Sequence, residues 1–253
     1  MKFDSFSRTV ALNIVRCIEN AVGDDILEDI RRSNLRTTNS VPFRIWDFLN
    51  RNLLNALDTE ECSAAKAFRG PWQMVVLLEK STGFLITIMR ESRFAELRRD
   101  QQKRDCMHYV DMFPRMFNTD LSAEEEQLAY LPKEFADESL LERMVQQLLQ
   151  DLTSDISVVR NHVLVLFDTQ GFQLTRVRAV MITPNLDIAE GCEEDWTKYI
   201  SSNESVVVEK VEDPTSTFNN PHRGLKLSEK ALERKQRSLQ YRQVEEETKK
   251  EKN

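Results

Sequence analysis

Two apolar runs folded about a glycine constrain this chain more than any other feature. Residues 73–91 read QMVVLLEKSTGFLITIMRE, and residues 162–182 read HVLVLFDTQGFQLTRVRAVMI. In each, β-branched and large apolar residues flank a short polar segment containing Gly83 or Gly171. That is the signature of a β-hairpin. A lone hairpin is barely stable in water, so the four strands are expected to share one sheet. Aligning Gly83 with Gly171 also aligns Ser81 with Thr169, Phe84 with Phe172, Thr87 with Thr175 and Arg90 with Arg178. A duplicated unit would produce this likeness, and so would any two hairpins that turn on glycine.

Around the hairpins the apolar spacing becomes helical. Phe6, Val10, Ile14, Cys17, Ile18 and Ala21 share one face of a helix over residues 5–22, with Gly23 as its stop. Asp24 is placed to cap a second helix carrying Ile26, Leu27 and Ile30. Pro42 opens a third, with Phe43, Trp46, Leu49, Leu53 and Leu57 as its stripe. A fourth is expected from a cap at Ser92 to a stop at Pro114, and a fifth from Asp137 through Leu152. Residues 193–200 read as a short helix, and Val206 to Val208 as one possible strand. The expectation is an α+β fold: an antiparallel sheet of two β-hairpins packed by amphipathic helices on one face. Residues 1–200 form the globular domain in this reading, and 201–253 a linker and charged tail. Leu225, Leu232 and Leu239 lie seven apart in that tail, too sparse for a coiled coil.

Charge and composition narrow the function classes. The net charge is -7, and residues 120–155 hold ten acids against Lys133 and Arg143. Such a chain binds nucleic acid only through a local basic patch. Cys17, Cys62, Cys106 and Cys192 are scattered, without the close pairs of a metal or redox site, which points to buried thiols in a reducing compartment. With no membrane span or leader in the sequence, a cytoplasmic location and no membrane association are expected. Six glycines are few for a nucleotide-cradling loop. The Walker, HExxH and GxSxG motifs are absent. No cofactor or metal is expected.

The densest charge lies between Arg69 and Tyr109. Arg90 and Glu91 end a strand, and Arg93, Arg98, Arg99, Lys103 and Arg104 follow, with His108 at the far end. These residues form either a basic ledge for phosphate or acidic partners, or a surface helix laced with ion pairs. Arg104 and His108 are set closer than the Arg and His pair of the small helical ribonucleases called HEPN. A restriction-type nuclease needs an acid on one strand and Glu-x-Lys on the next to hold a divalent metal. The two such matches, Glu233 to Lys235 and Glu247 to Lys249, lie in the tail. Arg176 and Arg178 alternate onto one strand face with Leu174 and Val180, where they either bind an anion or pair with acids.

Arg69, Gly70, Trp72, Met89-Arg90-Glu91, Arg93-Phe94, Leu97 and His108-Tyr109 together resemble an uncharacterised family of bacterial proteins of unknown function. The resemblance implies a bacterial or phage origin and supplies no activity. With no complete catalytic motif, the leading expectation is a non-enzymatic interaction or regulatory protein that binds a protein partner. The alternative is a nucleic-acid-binding protein or divergent nuclease using the ledge at residues 90–108.

Overall fold

The apolar runs become the centre of a six-stranded sheet in the order β1-β2-β3-β4-β5-β6. The computed structural model describes residues 6–34, 36–69, 72–104, 107–121 and 138–201. The strands are β1 Cys62–Arg69, β2 Trp72–Glu79, β3 Phe84–Arg90, β4 Asn161–Gln170, β5 Gln173–Ile182 and β6 Ile188–Asp195. Neighbours are antiparallel except β3 and β4, which run parallel from Phe84 opposite Asn161 to Arg90 opposite Phe167. Two antiparallel meanders therefore meet at one parallel seam. A parallel pair cannot be joined by a tight turn, and here the connection carries helices. The fold class is α+β, with both expected hairpins in one sheet.

The helices are α1 Arg8–Asn20, α2 Ile26–Ser33, α3 Val41–Leu57, α4 Glu91–Arg99, α5 Tyr109–Phe117 and α6 Glu138–Leu149. They cover both faces of the sheet, not one. Val75, Leu77, Ile86, Ile88, Val163 and Val165 pack with α1, α2 and α3. Their alternating neighbours Val76, Leu78, Leu85, Met89, Leu164 and Leu166 pack with α4, α5 and α6. The physical reason lies in the strands themselves: VVLL and VLVL are apolar at consecutive positions, and a strand apolar on both sides must be covered on both.

Several local expectations change. Gly23 does not stop the first helix. The chain widens into a π-helical turn at Ala21–Asp25 and continues as α2, ending at Asn34 in the left-handed region, φ 44°. Asp24 caps nothing; the neighbouring Asp25 carboxylate is held by Arg51 at 2.8 Å and Asn52 at 2.7 Å. The helix expected from Ser92 to Pro114 is two helices. The second starts at a capping box in which the His108 ring accepts from the Val110 N–H and Asp111 accepts from the His108 N–H. Pro114 lies inside α5. Residues 188–195, read partly as helix, form strand β6, followed by a 3-10 turn at Thr197–Tyr199.

The two glycines share a left-handed backbone, φ 72° at Gly83 and 60° at Gly171. The turns differ, however. Glu79 pairs with Phe84 around four turn residues, and Gln170 pairs with Gln173 around two. Cys17, Cys62 and Cys192 are free and buried, and burial pushes the Cys17 and Cys62 thiols up to about 12. Among the described residues, no helix is long and apolar enough to cross a membrane. The chain separates into units of residues 1–215 and 216–253. Cys106, the centre of the acidic stretch (122–137), the Val206–Val208 strand, and the tail with its Glu-x-Lys pairs lie outside the described residues.

Candidate functional site

The structure divides the residues of the expected ledge among three places. The first is an ion cluster where the C-terminal ends of β3 and β4 meet the start of α4. Glu91 is the first residue of α4 and sits at its electropositive end. Its carboxylate accepts from the Arg178 Nε at 2.9 Å and also from Arg178 Nη2. The Arg178 Nη1 donates to Glu193 on β6 at 2.9 Å, and Arg176 approaches the same carboxylate at 3.9 Å. The bond to Glu91 holds the Arg178 guanidinium above its ordinary range. Asp168 lies opposite Arg176 in the ladder. Burial, with Glu91 nearby, pushes its carboxyl upward, against the pull of Arg176, Arg178 and Arg90. The result is a fork of two carboxylates closed on one arginine, which ties α4 to β5 and β6.

Arg90, next in sequence to Glu91, faces the other side. Its Nη1 donates to Thr169 at 2.9 Å, and its guanidinium lies 5.3 Å from the centre of the Phe167 ring. Leu174 also leaves the face it was expected to share with Arg176, Arg178 and Val180. Leu174 packs with the α1–α3 side and Val180 with the α4–α6 side. The ladder slips between Asp168–Arg176 and Thr169–Leu174, leaving Thr175 as the extra residue of a bulge. One extra residue inverts the faces on either side of it.

The second place is the exposed surface of α4, where the basic residues have acidic neighbours. Arg93 bonds Glu96 at 2.9 Å, Arg99 bonds Asp100 at 3.0 Å, and Arg98 bonds Asp187. The third is the start of α5, where His108 is buried in its capping box with its ring 4.4 Å from that of Tyr109. His162 is also buried, in β4, with Nε2 2.8 Å from the Thr87 hydroxyl. Burial pushes its imidazole down to about 3, so it is neutral at physiological pH. Among the described residues, no group of three or more His, Cys, Asp or Glu side chains is placed to hold a metal ion.

A different surface was not singled out in the sequence. Phe43 is 58% exposed, Phe68 52% and Trp72 40%. The Phe43 and Trp72 ring centres lie 6.0 Å apart. Phe68 lies opposite Gln73 in the β1–β2 ladder, one step from the Arg69–Trp72 pair, and successive positions of a strand project to opposite faces. Strand β1 is at the end of the sheet order, so Phe68 lies on the edge strand, and the Phe43–Trp72 pair joins α3 to the start of the neighbouring β2. Phe43 was placed on the apolar stripe of α3, but the buried stripe is Val41, Ile45, Leu49, Leu53 and Leu57. That strict four-residue spacing leaves Phe43 half a turn away. It was the available signal, because Val41 completes it and Phe43 does not.

No curated protein and no solved structure matches the chain. Residues 3–246 match the model of a family of unknown function, DUF5986. The Arg69-Gly70-Pro71-Trp72 segment, the Met89-Arg90-Glu91 strand end and the His108-Tyr109 helix start all lie within that match. The chain belongs to the DUF5986 family.

Proposed function

We propose that this chain is a non-catalytic binding protein whose partner is another protein, engaged through the exposed aromatic pair Phe43 and Trp72. The exposed Phe43–Trp72 pair carries the proposal. Large aromatics left in water retain apolar area that a partner can cover. Aromatic residues also supply a disproportionate share of interface energy. An edge strand adds unpaired backbone groups that an incoming chain can bond.

The charge arrangement gives the nucleic-acid alternative less support. Arg93, Arg98, Arg99 and Arg178 each lie against a carboxylate. Phosphate would have to displace those partners to be bound, in a chain already carrying -7. Glu91, the carboxylate at the start of that ledge, is engaged by Arg178.

Capture on immobilised protein from native extract, with and without nuclease, tests the proposal. Specific proteins retained after nuclease treatment are the expected result. Retention of nucleic acid alone, lost as salt rises, would transfer the assignment to the charged strand end.

A further inference from the structure

The two edges of the sheet are built differently. The β6 edge is guarded. Its sequence carries Glu190, Glu193, Glu194 and Asp195, Gly191 turns the backbone left-handed at φ 69°, and the ladder with β5 shifts between Val180 and Ile182. Charges, kinks and irregular pairing are what keep an edge strand from pairing with another chain. The β1 edge is regular. Its eight residues, CSAAKAFR, stay in unbroken register with β2, from Cys62 opposite Glu79 to Arg69 opposite Trp72, and include no proline, glycine or acid.

The direction of the β1 backbone groups follows from its partner strand. In an antiparallel ladder the N–H and C=O of one residue point to the same side, and the sides alternate along the strand. The Val75 N–H is directed away from β1, to the Asn50 carboxamide on α3 at 3.2 Å. Lys66, opposite Val75, therefore forms a non-hydrogen-bonded pair, and the backbone groups of Ala64, Lys66 and Phe68 point out of the sheet. Cys62 follows the same alternation: its N–H donates to the Thr59 hydroxyl at 3.2 Å, and its carbonyl accepts from the Thr59 N–H at 2.7 Å. Among the described residues, nothing bonds the outward groups of Ala64, Lys66 and Phe68.

Donors and acceptors spaced along a straight edge recognise the backbone of another extended chain. We propose that this chain is the β1 strand of a second copy, paired antiparallel about a two-fold axis so that two six-stranded sheets join into one. Charge selects this occupant. Strand β1 is preceded by Glu60 and Glu61, both exposed, and ends in Arg69, so an antiparallel copy is complementary to it at both ends. Outward groups must face outward groups, which restricts the register. Centring the axis on Ala64 sets Lys66 against Cys62, whose backbone groups are taken by Thr59. Centring it on Lys66 sets two lysines opposite each other, a repulsive pair. Centring it on Ala65 sets Lys66 opposite Ala64 and Arg69 level with Glu61 of the second copy, once on each side of the axis. Such an isologous contact closes on itself and does not grow a fibre. It uses neither Phe43 nor Trp72, so it stands or falls apart from the protein-binding reading.

The test is sedimentation equilibrium of the full chain at concentrations up to about 0.1 mM. The expected result is twice the mass of one chain. Lys66→Pro removes an outward N–H and leaves the β1–β2 ladder intact, since an edge strand tolerates proline on its open side. It should keep the circular dichroism spectrum and raise the dimer Kd by about tenfold or more. Glu61→Arg should also weaken the dimer, and adding Arg69→Glu should restore it. Where Lys66→Pro fails to fold, this charge swap decides alone. The Phe43→Ser, Trp72→Ser variant should dimerise like the wild type. A chain that is monomeric throughout the range overturns the proposal. So does a dimer unaffected by Lys66→Pro and Glu61→Arg, a charge swap that restores nothing, or a dimer lost in the Phe43→Ser, Trp72→Ser variant.

Discussion

Gly83 and Gly171 look equivalent in sequence and have similar dihedrals, yet their surroundings make them different residues. A Cβ on Gly83 would lie 2.6 Å from the Val158 carbonyl oxygen, and the Gly83 carbonyl already accepts from the Arg160 N–H at 2.8 Å. Nothing lies within 4 Å of a Cβ on Gly171. Gly171→Ala should therefore lose only the left-handed backbone term, about 1 kcal/mol. Gly83→Ala adds a backbone clash and should cost about 3 kcal/mol or more. Paired urea melts measure both, and equal losses would contradict the close approach of residues 156–160. His162 gives a second prediction at this scale. Its folded pKa of about 3 lies below the ordinary 6.5, so the unfolded chain binds the proton first. Stability is unaffected above pH 6.5 and falls as pH drops from there towards 3, by up to about 1.4 kcal/mol per unit. A His162→Gln variant should lose part of that acid slope in urea melts recorded between pH 7 and 4. An unchanged slope would assign the acid sensitivity to other groups.

The elements were legible where the chain repeats a strong pattern. The helix α3, with Pro42 in its first turn, and the two central hairpins follow directly from apolar spacing. The edge strands did not show. In β1, CSAAKAFR is made largely of small residues, and in β6, IAEGCEED is mostly acidic on its outward side. Both take their strand conformation from pairing to an apolar neighbour, a tertiary effect that overrides weak local preference. The two-sided cover of the sheet was legible in principle in the unbroken apolar runs of β2 and β4. The Arg178–Glu91 fork was not, because it joins residues 87 positions apart across a parallel seam that no local pattern announces. Breaking that fork tests its role in docking α4. Glu91→Ala removes one of the two carboxylates on Arg178 and should destabilise the chain by about 2 kcal/mol. Arg93→Ala, at an exposed pair, should change stability by less than about 0.5 kcal/mol. Chemical denaturation distinguishes them, and comparable losses would mean that the fork contributes no more than a surface pair.

At the scale of the described molecule, the packed core is set apart from the aromatics left exposed. The sheet interior is covered on both faces and its end is closed by the arginine fork, while the Phe43–Trp72 pair is left on the outside. That surface could not be read beforehand because exposure of an aromatic depends on which face its element buries. Sequence spacing put Phe43 with the core, and the fold put it in water. The measurement that bears most directly on the proposed binding role is a side-by-side capture from nuclease-treated native extract, using the wild-type chain and a Phe43→Ser, Trp72→Ser variant with an unchanged circular dichroism spectrum. The account predicts a protein retained by the wild type and lost, by tenfold or more, from the variant. Equal retention by both chains would contradict it.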